Sequence, residues 1–185
     1  MQKITAIKHE EATGKAKELL DGVNAKLGFV PNMMVTMASS TAVLEGYLNL
    51  SGSLGSSLNA KLREQIALTV AEINGCQYCA SAHSAIGKMV GLDAHAIEDA
   101  RRATSHDAKT DAALKFAKAL VISRGKVSET DLEAVKSAGY SEKEISEIVA
   151  NVALNVFTNY FNETAKTIVD FPEVEFPLVS QTAHA

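Results

Sequence analysis

Apolar residues recur every three or four positions through most of this chain. Glycine, proline and short polar side chains interrupt them where helices would end. Ala12, Ala16, Leu19, Leu20, Val23 and Leu27 form one side of an amphipathic helix over residues 9–27, which Gly28 ends. Pro31 suits the first turn of the next helix, and Met33, Met34, Val35 and Met37 read as gap-filling core. A further helix covers 41–55, and Ser56–Asn59 breaks it. Leu62, Ile66, Val70 and Ile73 define a helix that ends at Asn74-Gly75, a turn pair whose residues tolerate left-handed backbone. A second helix starts at Cys76 and runs to about Gly91.

Beyond that hairpin, Asp93 is placed to cap a short helix to about Arg102, 104–107 is a loop, and 108–123 is a helix. Ser128 caps another, with Glu129 and Asp131 in its first turn. Ser141-Glu-Lys-Glu has the capping-box form and opens a helix over about 141–156, followed by a last one to about Asp170. The tail from Phe171 is extended, because Pro172 and Pro177 block helix. Its Phe171, Val174 and Phe176 call for burial, on a neighbouring subunit. No stretch alternates like a strand between hairpin turns, so the chain reads as one all-α domain over 1–185.

A weak internal repeat runs through it. A shift of 83 residues lays Glu64 on Glu147, Ala67 on Ala150, Ile73 on Val156 and Ala82 on Ala165, and puts Asn159 and Asn162 at the places of Cys76 and Cys79. The expectation is a redox core over about 59–92, a second hairpin copy over about 141–170, and an extended tail over 171–185. With 185 residues the chain can bury a sizeable core. Its net charge of −4 and lack of a basic run disfavour nucleic acid and acidic membranes as partners. No apolar run reaches membrane-spanning length, and the N-terminus lacks the long apolar core of a signal peptide, so the expected location is the cytoplasm. There, paired cysteines cycle between dithiol and disulfide more readily than they staple a fold.

The only two cysteines, Cys76 and Cys79, lie with His83 at i, i+3 and i+7 on one helix face. Residues three apart on a helix are within disulfide reach. A helix start favours the thiolate, and His83, one turn below Cys79, can exchange a proton with it. In an antiparallel hairpin about Asn74, Glu64 falls level with His83. Glu64 shares its face with Ala67, Leu68 and Ala71, so its carboxylate needs a partner. Glu72 sits at the turn and faces elsewhere. The outcome is a candidate relay from Glu64 through His83 to the cysteine pair.

Glu64, eleven residues, then Cys76-x-x-Cys79-x-x-x-His83 resembles the signature of the alkylhydroperoxidase D branch of the carboxymuconolactone decarboxylase-like superfamily. The similarity is densest over 59–92. A fainter likeness to a peroxidase-related subgroup reaches Gly28–Asn32 and Asn155–Asn162. One position departs: Tyr78 stands where the founding proteins carry a histidine, and a tyrosine is a poor base near neutral pH. The resemblance implies a helical bundle of that type and a homotrimer or a hexamer of trimers. It implies a thiol-dependent peroxidase or disulfide reductase with catalytic Cys76, Cys79, His83 and Glu64, Tyr78 as an accessory, and an external dithiol or thiol protein as reductant. Cys79, nearest His83, is implied to attack the peroxide, and Cys76, more exposed at the helix start, to meet the reductant; no bound cofactor is required. The alternatives are a carboxymuconolactone decarboxylase-like lyase, which does not depend on a Cys-x-x-Cys, and a redox sensor or adaptor without turnover.

Other residues weigh less. His9, His95, His106 and His184 lie in polar or terminal contexts and read as solvated. Zinc on Cys76, Cys79 and His83 has no obvious fourth ligand, and although catalytic zinc sites use three protein ligands, these would crowd one helix face. Asn155, Asn159 and Asn162 form a polar stripe that reads as a satisfied buried network or a subunit contact. A Cys–His hydrolase would leave the second cysteine unexplained.

Overall fold

The computed structural model describes residues 1–178; His184 and the end of the tail lie outside the described residues. After a 3-10 turn at His9–Glu11 come nine α-helices among the described residues: α1 Gly14–Leu27, α2 Asn32–Met37, α3 Thr41–Leu54, α4 Ala60–Ile73, α5 Gln77–Met89, α6 Ala94–Arg101, α7 Ala108–Ile122, α8 Glu129–Ser137 and α9 Glu142–Ala165. The chain is all-α, as its periodicity predicts, and every helix except α1 starts within three residues of the expected position.

Helix α4 is the central element and packs against α5, α6, α7 and α9. Leu62, Gln65, Ile66, Ala67, Leu68, Thr69, Val70 and Ala71 are all buried, so this helix is apolar on more than one side. Each of Ile66, Leu68 and Val70 contributes about 1.5–3 kcal/mol by leaving water. One core lies on its far side, where α6, α7, α8 and the first half of α9 meet around Leu114, Val135 and Ile148. The other gathers α1, α2, α3 and α5 around Leu20, Met37, Leu44 and the two cysteines. The methionines of α2 are buried there, as expected.

Two predictions of the sequence are corrected. The second hairpin copy does not form, because α9 runs unbroken from Glu142 to Ala165 and stops there, with Lys166 left-handed. The shift of 83 residues lays Asn74-Gly75 on Phe157-Thr158, a pair with no preference for left-handed backbone, so nothing reverses the chain. The tail, expected to be buried on a neighbouring subunit, packs along its own chain as far as residue 178. Phe171 packs edge-on against Phe29 and Tyr78, and Arg101 lies over the Phe176 ring. Gln77 Nε2 donates to the Val174 carbonyl at 2.9 Å and Arg101 Nη2 to that of Glu175 at 2.7 Å.

Glu72 takes part in this clamp. It pairs with the buried Arg101 at 2.8 Å and accepts the Leu178 N–H at 2.6 Å. It faces away from His83, as the sequence predicts, and ties the turn of the central hairpin to α6 and the tail. Removing one partner of such a buried pair costs about 3–5 kcal/mol.

The outer face of α9 leaves Val149, Phe157 and Tyr160 exposed in one stripe. No helix among the described residues is long and apolar enough to cross a membrane.

Candidate active site

The turn between α4 and α5 builds the site. Asn59 caps α4 by accepting the Leu62 N–H at 2.8 Å. At the other end Gly75, at φ +71°, makes the reversal that a side chain would resist. Gly75 N–H donates to Glu72 O at 3.3 Å and Cys76 N–H to Ala71 O at 2.9 Å, the paired bonds of a Schellman ending. Cys76 therefore closes α4 with its backbone. With its side chain it caps α5, its Sγ accepting the Cys79 N–H at 3.3 Å. One residue serves two helix ends, which fixes both sulfurs.

That position buries Cys76 completely, at 0% exposure, and Cys79 at 2%. The expectation that Cys76 is the exposed cysteine is thus corrected. The sulfurs lie 2.7 Å apart, with Cys76 as donor and Cys79 as acceptor. Burial pushes the Cys79 thiol up, but the Cys76 hydrogen bond, the His83 charge, and the amides of Asn162 and Asn159 outweigh it and bring it to about 7. Cys76 goes the other way: its hydrogen bond to Cys79 and its burial hold its proton on. The thiol brought down is therefore Cys79, in the first turn of α5, and not the capping Cys76.

Glu64 and His83 meet as the hairpin register requires, with Oε2 2.7 Å from Nδ1. Their side chains are 16% and 23% exposed, so the pair is partly buried. Burial pulls the His83 pKa down, but Glu64, and to a lesser degree the charge of Cys79, raise it above its ordinary value. The Glu64 contact occupies Nδ1, and Nε2 remains for proton exchange.

Cys79, His83 and Glu64 line a cleft of about 540 Å³, whose exposed wall is mostly apolar. Leu27, Phe29, Met33, Ala82, Ile86 and Leu154 supply much of that wall. Tyr78 lines it too, but its hydroxyl accepts the Met33 N–H at 3.1 Å, so it anchors α2 to α5 rather than touching a sulfur. Burial raises its pKa, which keeps the phenol neutral. On the Cys76 side a second groove, of about 320 Å³, is lined by Gly75, Gln77, Tyr78, Lys166 and Phe176.

Sequence reasoning missed three residues. Asn162 donates from Nδ2 to Cys79 Sγ at 3.3 Å, and Asn159 accepts the Asn74 side-chain N–H at 3.0 Å. The stripe is buried, as read, but not fully satisfied, since Asn159 Nδ2 and Asn162 Oδ1 have no hydrogen-bond partner among the described residues. Its signal was the repeat, which laid Asn162 on Cys79. Tyr47 of α3 also lines the cleft, near enough to Cys79 and Glu64 for their charges to act on it, and burial pushes its phenol up to about 12. Nothing around Tyr47 in the sequence marks it. The remaining described histidines are peripheral: His95 and His106 are exposed, and His9 pairs with Asp21 at 2.7 Å on the surface. No group of three His, Cys, Asp or Glu side chains among the described residues is placed to hold a metal ion.

The site is thus a buried Cys-x-x-Cys with a carboxylate–imidazole pair one turn away, set in a helical bundle. Residues 41–121 match the model of the carboxymuconolactone decarboxylase family. Of solved structures, the debrominase Bmp8 shares 23% identity at a TM-score of 0.78, covering 90% of this chain and 91% of its own. An uncharacterized peroxidase-related protein from Silicibacter sp. TM1040 shares 25% at 0.77, covering 90% and 92%. A protein with the alkylhydroperoxidase AhpD core from Ralstonia eutropha JMP134, also peroxidase-related, shares 22% at 0.81, covering 90% of each chain. No curated protein matches the sequence. The match over residues 41–121 and the shared fold make the chain similar to the carboxymuconolactone decarboxylase/alkylhydroperoxidase D-like proteins.

Proposed function

We propose that the protein is a thiol-dependent peroxidase that reduces organic hydroperoxides through Cys79 and Cys76. The observation that carries this reading is the placement of Cys79. Its sulfur faces a cleft of organic-ligand size, beside the His83–Glu64 pair, with the Cys76 sulfur 2.7 Å behind it. A volume of about 540 Å³ is far larger than hydrogen peroxide needs and lies within the ordinary range of small-molecule sites.

The Cys79 thiolate attacks the terminal peroxide oxygen and the O–O bond breaks. The departing alkoxide takes a proton from the His83 imidazolium, giving an alcohol and a Cys79 sulfenic acid. Cys76 then attacks that sulfur; the S–O bond breaks and water leaves with the Cys76 proton. An external dithiol, oxidised in turn, returns the pair to two thiols. Glu64 holds the imidazole and stabilises its charged form. Asn162 stabilises the thiolate by hydrogen bonding. Both sulfurs are buried, so the reductant approaches through the cleft or the groove beside Cys76.

Stopped-flow oxidation of the reduced protein by several hydroperoxides, with thiol counting and intact mass afterward, tests this. The expected product has lost two hydrogens, forms no intermolecular species, and is regenerated for many turnovers by a dithiol. Oxidation that occurs once and is not recycled would assign a sensor instead, and a pair that stays reduced would end the redox reading.

The working form we propose is a cytoplasmic homo-oligomer, a trimer or a hexamer of trimers, sealed by the exposed apolar stripe of α9. Sedimentation should give an oligomeric mass. Because the tail packs on its own chain, truncation before Phe171 should keep that mass and lower the melting temperature. A monomer at micromolar concentration would refute the assembly.

A further inference from the structure

One charged residue of the cleft has no assigned part. Arg63 lines it together with Glu64 and His83. Its Nη1 donates to the Leu54 carbonyl at 3.1 Å and also to that of Gly55, which pins the guanidinium against the end of α3. Its Nε is buried and has no hydrogen-bond partner. No carboxylate among the described residues pairs with it, whereas the charge of Glu64 is met by His83. Among the described residues Nη2 donates to no protein acceptor and is the guanidinium's remaining charged donor toward the cleft, where a carboxylate could accept from it.

Two rulers place this cation away from the sulfur. Tyr47, near Cys79, and Leu54, which holds Arg63, are seven residues apart on α3, or about 10 Å. Along α9, Asn162 touches Cys79 while Asn151 touches Ser57, beyond the α3 end, and eleven residues separate them, or about 16 Å. Between the two ends the walls are largely apolar, with Ala67, Ile86 and Leu154 among them.

We propose that Arg63 is a carboxylate-binding subsite and that the cleft takes an apolar organic acid, with its reactive group held at Cys79 and its acid group roughly 10 Å or more away. The peroxidase reading enters only in making that reactive group a hydroperoxide; the acid subsite stands on Arg63 and the cleft.

The test uses decanoate and its methyl ester, neither of which is an oxidant, titrated calorimetrically into the full chain. Decanoate should bind about ten-fold more tightly or better, the difference expected for a charged hydrogen-bonded pair. Arg63→Gln should erase that preference and leave ester affinity unchanged. Equal affinities in the wild type, or a preference that survives Arg63→Gln, would overturn the proposal. If Arg63→Gln loses both ligands it has failed to fold, and Arg63→Lys, which keeps the charge, decides: a retained preference for decanoate supports the cation subsite, and equal affinities remove it. A protein inert to hydroperoxides that still prefers the acid keeps this subsite and loses the peroxidase reading. Peroxidase activity without acid preference does the reverse.

Discussion

Cys79→Ser is expected to abolish hydroperoxide consumption, whereas Cys76→Ser keeps the first oxidation and loses the disulfide. The two sulfurs are close neighbours but differ in chemistry. Cys79 lines the cleft, and its pKa is brought down to about 7 by the Cys76 hydrogen bond, His83, Asn162 and Asn159 acting against burial. About half of it is thiolate at neutral pH, against a few per cent for an ordinary cysteine. Cys76 is sealed behind it, does not line the cleft, and holds its proton. Serine at 79 supplies no comparable nucleophile, so turnover falls to background. Serine at 76 retains a hydroxyl donor toward Cys79 but cannot resolve the sulfenic acid. Rapid quench with a sulfenic-acid trap, followed by intact mass, should therefore label Cys76→Ser and leave Cys79→Ser unlabelled. Turnover retained in Cys79→Ser would move the attack to Cys76 and overturn this assignment.

The helical periodicity and the caps made the architecture legible, since local signals decide where a helix begins and ends. The Glu64–His83 contact was legible for the same reason, because one turn at Asn74-Gly75 fixes the register of the hairpin. What the sequence hid depends on three-dimensional packing. Cys76 looks exposed at a helix start, yet its double duty as the closing residue of α4 and the cap of α5 buries it. Glu72 looks idle until Arg101, 29 residues on, and the tail close over it. The continuity of α9 follows from the absence of any turn-forming pair near Phe157, a negative signal that the repeat obscured. Tyr47 and Arg63 reach the cleft from helix faces whose neighbours give no hint of it.

His83→Ala and Glu64→Gln should each slow Cys79 oxidation by roughly 100-fold at neutral pH. Part of that loss is ionisation. The His83 charge helps depress the Cys79 pKa, and Glu64 raises that of His83 and so keeps the charge in place. Without it the Cys79 pKa rises, and the thiolate fraction at pH 7 falls. The remainder is the lost proton for the departing alkoxide. The pH dependence separates these contributions. In the wild type the single-turnover rate should climb as pH passes about 7 and then level off. In both variants the climb should move to higher pH, so that the deficit shrinks above pH 9 without vanishing. Glu64→Gln keeps the shape of the side chain, so its melting temperature should stay close to wild type while its rate falls. Glu72→Gln cannot serve as the inert control, because it leaves Arg101 buried and unpaired; Glu129→Gln, at an exposed helix start, is the suitable one. Profiles that superimpose for wild type, His83→Ala and Glu64→Gln would reduce the Glu64–His83 contact to a structural ion pair. The activation of Cys79 would then rest on the Cys76 hydrogen bond and the asparagines of α9 alone.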